Sequence, residues 1–261
     1  MKDLFCIRRL IPAAIFYGIG GVLGLCTVVM LLFANGFPQL VSDVCAGGVV
    51  ETSAVITWVV IQAGLMIVTC MSACAMAVGL FWEQRSKGDG FDILYYTANV
   101  QIWFSRITGG MTLIYLIVRV IRYLLLCNWM ETGVYEAYVM IIPEAAMVVQ
   151  AVGLYCLLHR FLNALCDSFA SMAYIRLSGK LDDQPTSGLC GGGFWLLAFG
   201  CLLLMLTRSN TFLQSQTLNP MAILSAGMYG CVAVANALMG MYLSRYRKIA
   251  SQMRFQMARN T

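Results

Sequence analysis

Apolar positions run through this chain in long unbroken blocks. Residues 10–42, 52–82, 184–207 and 209–244 contain no Asp, Glu, Lys or Arg. A helix rises 1.5 Å per residue, so roughly 20 apolar residues cross a hydrocarbon core of about 30 Å. Each block is long enough for one crossing, and together they predict membrane helices at about 12–34, 54–82, 189–207 and 220–243. Two apolar stretches that do carry charge, about 107–127 and 134–158, bring the expectation to six spans in three hairpins. The alternation of apolar and polar residues that marks a membrane barrel is nowhere visible. The expected class is therefore an all-α, polytopic integral membrane protein, residues 1–261 forming one transmembrane domain. Helices are required because lipid offers the backbone no hydrogen-bond partner. Pro12 and Pro220 suit first helical turns, whereas Pro143 lies inside the fourth span and predicts a kink.

Composition agrees with the pattern. The chain is 60% apolar and only 11% charged, against about 25% charged in an ordinary soluble domain. A soluble globular enzyme, a disordered chain and a disulfide scaffold are excluded on that ground. The basic residues then orient the bundle. Lys2, Arg8 and Arg9 precede span one; Arg85, Lys87 and Arg106 lie between spans two and three; Arg160, Arg176 and Lys180 lie between four and five. Arg245, Arg247, Lys248, Arg254 and Arg259 follow span six, while the alternate loops hold only Arg208. The positive-inside rule puts both termini in the cytoplasm of a multi-pass cell-membrane protein. The first apolar run is too long for a signal peptide and flows into further apolar helices, so it is expected to be kept as a span.

Three local patterns refine the picture. In 89–106, Phe91, Leu94, Tyr95, Ala98 and Ile102 recur at helical spacing, which predicts an amphipathic segment at the membrane interface. The stretch 159–180 reads as a cytoplasmic continuation of span four. Beyond span six, Tyr246, Ile249, Met253 and Met257 share a face apart from Arg247, Lys248 and Arg254. With Arg245 these cations make a basic amphipathic tail suited to anionic lipid headgroups. Gly20-x-x-x-Gly24, Ala75-x-x-x-Gly79 and the series Ala222, Ala226, Gly230 predict close helix packing within the chain. Glycine pairs at Gly20, Gly109 and Gly192, and the tripeptides starting at Gly79, Gly153 and Gly240, leave open a threefold hairpin repeat.

Charge inside the spans changes the picture most. Arg119 and Arg122 lie in span three; Glu144, beside Pro143, and Glu136 lie in span four. Intramembrane charges are costly and mark function by default. The two spans form an antiparallel hairpin. Arg119 lies roughly 12 Å below its outer end and Glu144 roughly 15 Å, so the two fall at similar depth. Two readings stand open: a neutralised ion pair that locks the hairpin, or an outward-facing polar cavity for an anionic or zwitterionic solute or for protons. Asn236 in span six could join either by hydrogen bonding, and otherwise acts as packing glue.

Several chemistries lack their residues. His159 is the one histidine, so no H-E-x-x-H zinc site exists, and no P-loop is present. Asp167, Ser168 and Ser171 near His159 read as solvated residues rather than a hydrolytic site. Gly88-Asp89-Gly90-Phe91-Asp92 reads as a turn. Cys70 and Cys74, one turn apart, read as buried thiols, and a Cys45–Cys127 disulfide is a further option. No cofactor, metal or nucleic-acid partner is expected. The leading expectation is a small transporter or permease-type subunit, driven by a gradient or by a separate ATPase or other membrane subunit. The alternatives are a non-transporting scaffold or accessory subunit and, behind that, a membrane-embedded enzyme acting on lipid.

Overall fold

A computed structural model describes residues 7–30, 49–86, 88–126, 134–178, 188–215 and 220–260. Among these the secondary structure is entirely helical. A 3-10 turn, Ile7–Leu10, leads into α1 (Ile11–Met30); α2 (Val49–Arg85), α3 (Asp89–Leu126), α4 (Val134–Ser178), α5 (Gly188–Ser215) and α6 (Pro220–Asn260) follow. Five stretches among the described residues are long and apolar enough to cross a membrane: Ile11–Met30, Met66–Arg85, Val148–Ser178, Leu189–Thr207 and Pro220–Met253. Expected spans one, two, five and six overlap four of them, while expected span three (about 107–127) has no counterpart among the five. The fifth begins within expected span four and runs far past its end.

The helices are longer than the spans. α3 has 38 residues, α4 has 45 and α6 has 41. At 1.5 Å per residue even α3 is about 57 Å long, nearly twice a hydrocarbon core. The segment 89–106 is thus not a separate interfacial helix but the first half of α3. Of its apolar face, Phe91, Leu94, Ala98 and Ile102 are buried and Tyr95 is half-buried, while Tyr96 and Trp103 are exposed. Residues 159–178 continue α4, as the sequence suggests, and α4 is helical on both sides of Pro143. The tail beyond span six continues α6; of its expected apolar face Tyr246 is buried, Ile249 and Met253 are half-buried, and the side chain of Met257 lies outside the described residues. Cys45 and Cys127 lie outside the described residues.

The chain divides into two compact units. One comprises Met1–Leu94 with Ser168–Thr261, the other Tyr95–Asp167. In the first, α5 packs along α6, and α1 packs against both α2 and α6. Glycine makes the α1 contacts possible. A methyl group on Gly20 would meet Val232 Cγ2 at 2.9 Å, and one on Gly24 would meet Cys70 Cβ at 2.9 Å. The small-residue seam of span one is thus used inside the chain, as the spacing implies.

The second unit is the hairpin of α3 and α4. Gly109 lies directly against the Tyr155 ring, and Cys166 Sγ donates to the Tyr95 carbonyl at 3.9 Å. Arg106 stacks over Trp103 with its guanidinium carbon 5.1 Å from the ring centroid, and Tyr155 stacks on His159. The glycine pairs of the three hairpins differ in use: Gly20 and Gly21 are tightly covered, whereas Gly110 and Gly192 face open space.

Candidate functional site

The best-defined charged site is one the sequence pattern did not single out. Glu83 is the first charge after the block 52–82, two residues before α2 ends. Its side chain is completely buried. The chain then turns: Ser86 N–H donates to the Trp82 carbonyl at 2.9 Å, Gly88 takes φ of +107°, and α3 begins at Asp89. Only glycine adopts that φ without strain. A side chain on Gly88 would also strike Leu177 on α4. The turn expected over Gly88-Asp89-Gly90-Phe91-Asp92 is thus confined to its start at Gly88, and Asp89 to Asp92 form the first turn of α3.

The turn aims α3's first N–H groups back at Glu83. Gly88 N–H donates to Oε1 at 3.1 Å and to Oε2 at 3.2 Å, and Phe91 N–H donates to Oε2 at 3.2 Å. The carboxylate therefore caps α3 from outside its own helix, where the dipole favours an anion. From α4, Arg176 Nε donates to Glu83 Oε1 at 2.9 Å, and its side chain keeps 23% exposure. Close packing encloses the pair. Gly90 lies against the backbone of both Glu83 and Gly79, and the Phe91 and Phe169 rings stack at 6.4 Å. One carboxylate thus joins α2, α3 and α4 at a single point. Chemically it is saturated: its oxygens are occupied by protein donors, which suits a clamp rather than a catalytic base.

A second polar link lies in the same unit. Tyr17 on α1 donates to Asn236 Oδ1 at 2.6 Å, and Asn236 Nδ2 donates to Cys201 Sγ on α5 at 3.9 Å. Asn236 is buried. Its amide ties α1, α5 and α6 together.

The other candidates are placed as follows. Arg119 and Arg122 stand on α3, Glu136 and Glu144 on α4; their side chains lie outside the described residues. All four belong to the second unit. Arg245, Arg247 and Lys248 are exposed on α6, and the side chain of Arg254 lies outside the described residues. The hydrolytic grouping is not assembled. Ser168, expected to be solvated, is buried with Oγ 3.1 Å from Cys190 Sγ, while Asp167 is exposed. Among the described residues no group of three or more His, Cys, Asp or Glu could hold a metal.

No protein-family model matches the chain, and neither a curated protein nor a solved structure matches it.

Proposed function

We propose that the chain is a small transporter or permease-type subunit in the cell membrane, both termini cytoplasmic, with its working site on the α3–α4 hairpin. One observation carries this reading. Arg119, Arg122, Glu136 and Glu144 all fall in the compact unit Tyr95–Asp167, whereas the buried ion pair of the other unit is saturated by its own protein partners. Hairpin register supports it. Tyr95 meets Cys166 and Gly109 meets Tyr155. Continuing outward at equal rise on both helices brings Arg119 to about the level of Glu144. Arg122 falls close by, while Glu136 stands more than one turn farther out, toward the mouth.

An arginine and a carboxylate level with each other suit an anionic or zwitterionic solute, which can engage the two charges separately. Without a P-loop in its sequence, the chain would use a gradient or a separate ATPase docked on another membrane subunit or on its own long helices. Arg9, Arg85, Arg245, Arg247 and Lys248, all exposed, would face anionic lipid headgroups of the cytoplasmic leaflet.

The test pairs uptake with folding. In cells expressing Arg119→Gln, accumulation of anionic and zwitterionic solutes falls to background while the folded amount stays at the wild-type level. If that variant fails to fold, the charges are structural and the reading fails. Gentle purification adds a second test, since a co-eluting stoichiometric ATPase identifies a permease subunit. A scaffold or accessory role is the second reading. It is favoured by the commitment of Tyr17, Asn236, Glu83 and Arg176 to one another across helices.

A further inference from the structure

The chain is rich in sulfur, with 11 Cys and 17 Met in 261 residues, and one helix crossing gathers three sulfur side chains. At Gly21 and Gly24 of α1 there are no side chains to hold the neighbouring helices away. Cys70 and Cys74 on α2 stand one turn apart. Cys70 Sγ donates to the Gly21 carbonyl at 3.4 Å. A methyl on Gly24 would meet Cys70 Sγ at 3.1 Å and Met228 Sδ of α6 at 2.9 Å, and one on Gly21 would meet Cys74 Sγ at 2.6 Å. Two thiols and a thioether from two helices therefore converge on one turn of a third. Cys70 and Met228 are both buried.

All three donors are soft. Thiolate and thioether ligands select Cu(I) over hard cations. A structural zinc site needs four nitrogen or sulfur ligands, one more than this crossing supplies. We propose that Cys70, Cys74 and Met228 form a binding site for a soft monovalent metal ion, Cu(I) or its analogue Ag(I). As the ion arrives one thiol proton leaves to solvent and a metal–sulfur bond forms, with no change of oxidation state. The resulting metal–thiolate unit is neutral, as an apolar interior requires. The second thiol and the thioether complete the coordination as neutral donors. Sulfur must close to roughly 2.3 Å from a first-row ion, and the unbranched Met228 side chain has the freedom to do so. The site is independent of the transport reading: it lies in the other unit and uses none of the same residues.

The experiment uses the full chain in detergent under a non-thiol reductant, with Cu(I) supplied against the competing chelator bathocuproine disulfonate. Wild type is expected to keep one equivalent and to release one proton per ion. Cys26→Ser/Cys156→Ser, which removes two exposed thiols, is expected to bind identically. Cys70→Ser/Cys74→Ser is expected to lose the ion. Met228→Leu, which preserves volume and so the fold, is expected to bind about tenfold or more weakly, a loss that even outer-shell ligand partners can cause. A wild-type protein that yields all its copper to the chelator would overturn the proposal. So would undiminished binding by the Cys70/Cys74 variant or by Met228→Leu, each checked by its thermal unfolding.

Discussion

The two units of the chain both carry charge within or beside apolar helical stretches, and one of them holds it in a buried clamp. In the unit built from Met1–Leu94 and Ser168–Thr261, the buried carboxylate of Glu83 has an arginine and the N-terminus of a helix for partners. At Gly20, Gly21 and Gly24 its helices meet so closely that an added methyl has nowhere to go, while in the hairpin only Gly109 among the described glycines is covered in this way. In the unit Tyr95–Asp167, Arg119, Arg122, Glu136 and Glu144 stand on otherwise apolar helical segments. Many of its apolar side chains, Val100, Trp103, Ile114, Val149 and Leu157 among them, are exposed in the chain alone. Gly110 and Gly153 there face open space. A membrane protein needs a part that stays fixed and, where it moves solutes, a part that can afford polar groups and looser packing. In the transport reading proposed above, the glycine-seamed frame takes the first role and the hairpin the second.

The largest effect expected from breaking this contrast is at Arg176. Arg176→Gln strands a fully buried carboxylate, at a cost of about 3–5 kcal/mol. Glu83→Gln should cost less, because the amide oxygen still accepts from Gly88 and Phe91 and the partly exposed Arg176 can turn to water. Thermal unfolding in detergent orders the two; the reverse order would deny that Glu83 is the buried end of the clamp.

Next come the glycines, which compare the units directly. Gly90→Ala drives a methyl into the backbone of Glu83 and Gly79, and overpacking of this kind costs about 1–3 kcal/mol. Gly110→Ala meets nothing and should instead stabilise α3 by about 0.5–1 kcal/mol through helix propensity. Opposite signs in the two midpoints are the expected result. Equal losses would mean that Gly110 is packed as tightly as Gly90. Smaller still is Tyr17→Phe, which removes the donor to Asn236. Interhelical hydrogen bonds in membranes average about 0.6 kcal/mol, so a midpoint loss on that scale is expected.

Much of the frame was legible in the sequence, for reasons that name its residues. Charge-free blocks read out the helices because lipid tolerates nothing else, and Gly20-x-x-x-Gly24 foretold the seam on which α2 and α6 close. The turn at Gly88 was legible because glycine and aspartate cluster there. Helix ends were not: α3, α4 and α6 outrun their apolar segments because polar residues that stop a membrane span do not stop a helix. The Glu83–Arg176 clamp was hidden because its partners are 93 positions apart, and each looks like an ordinary charge flanking a span. Asn236 was visible as a polar residue in a span, but its partners Tyr17 and Cys201 follow from packing alone. The sulfur crossing needed the three-helix geometry, since only Cys70 and Cys74 are neighbours in sequence.

The most direct measurement sets Arg119→Gln beside Arg176→Gln in the purified full chain and compares their thermal unfolding with wild type. A hydrated working site loses little stability when one charge is neutralised, so Arg119→Gln is expected to unfold near the wild-type temperature while Arg176→Gln unfolds far below it. Should Arg119→Gln prove as unstable as Arg176→Gln, the hairpin charges are packed clamps like Glu83, and the division into frame and working hairpin is wrong.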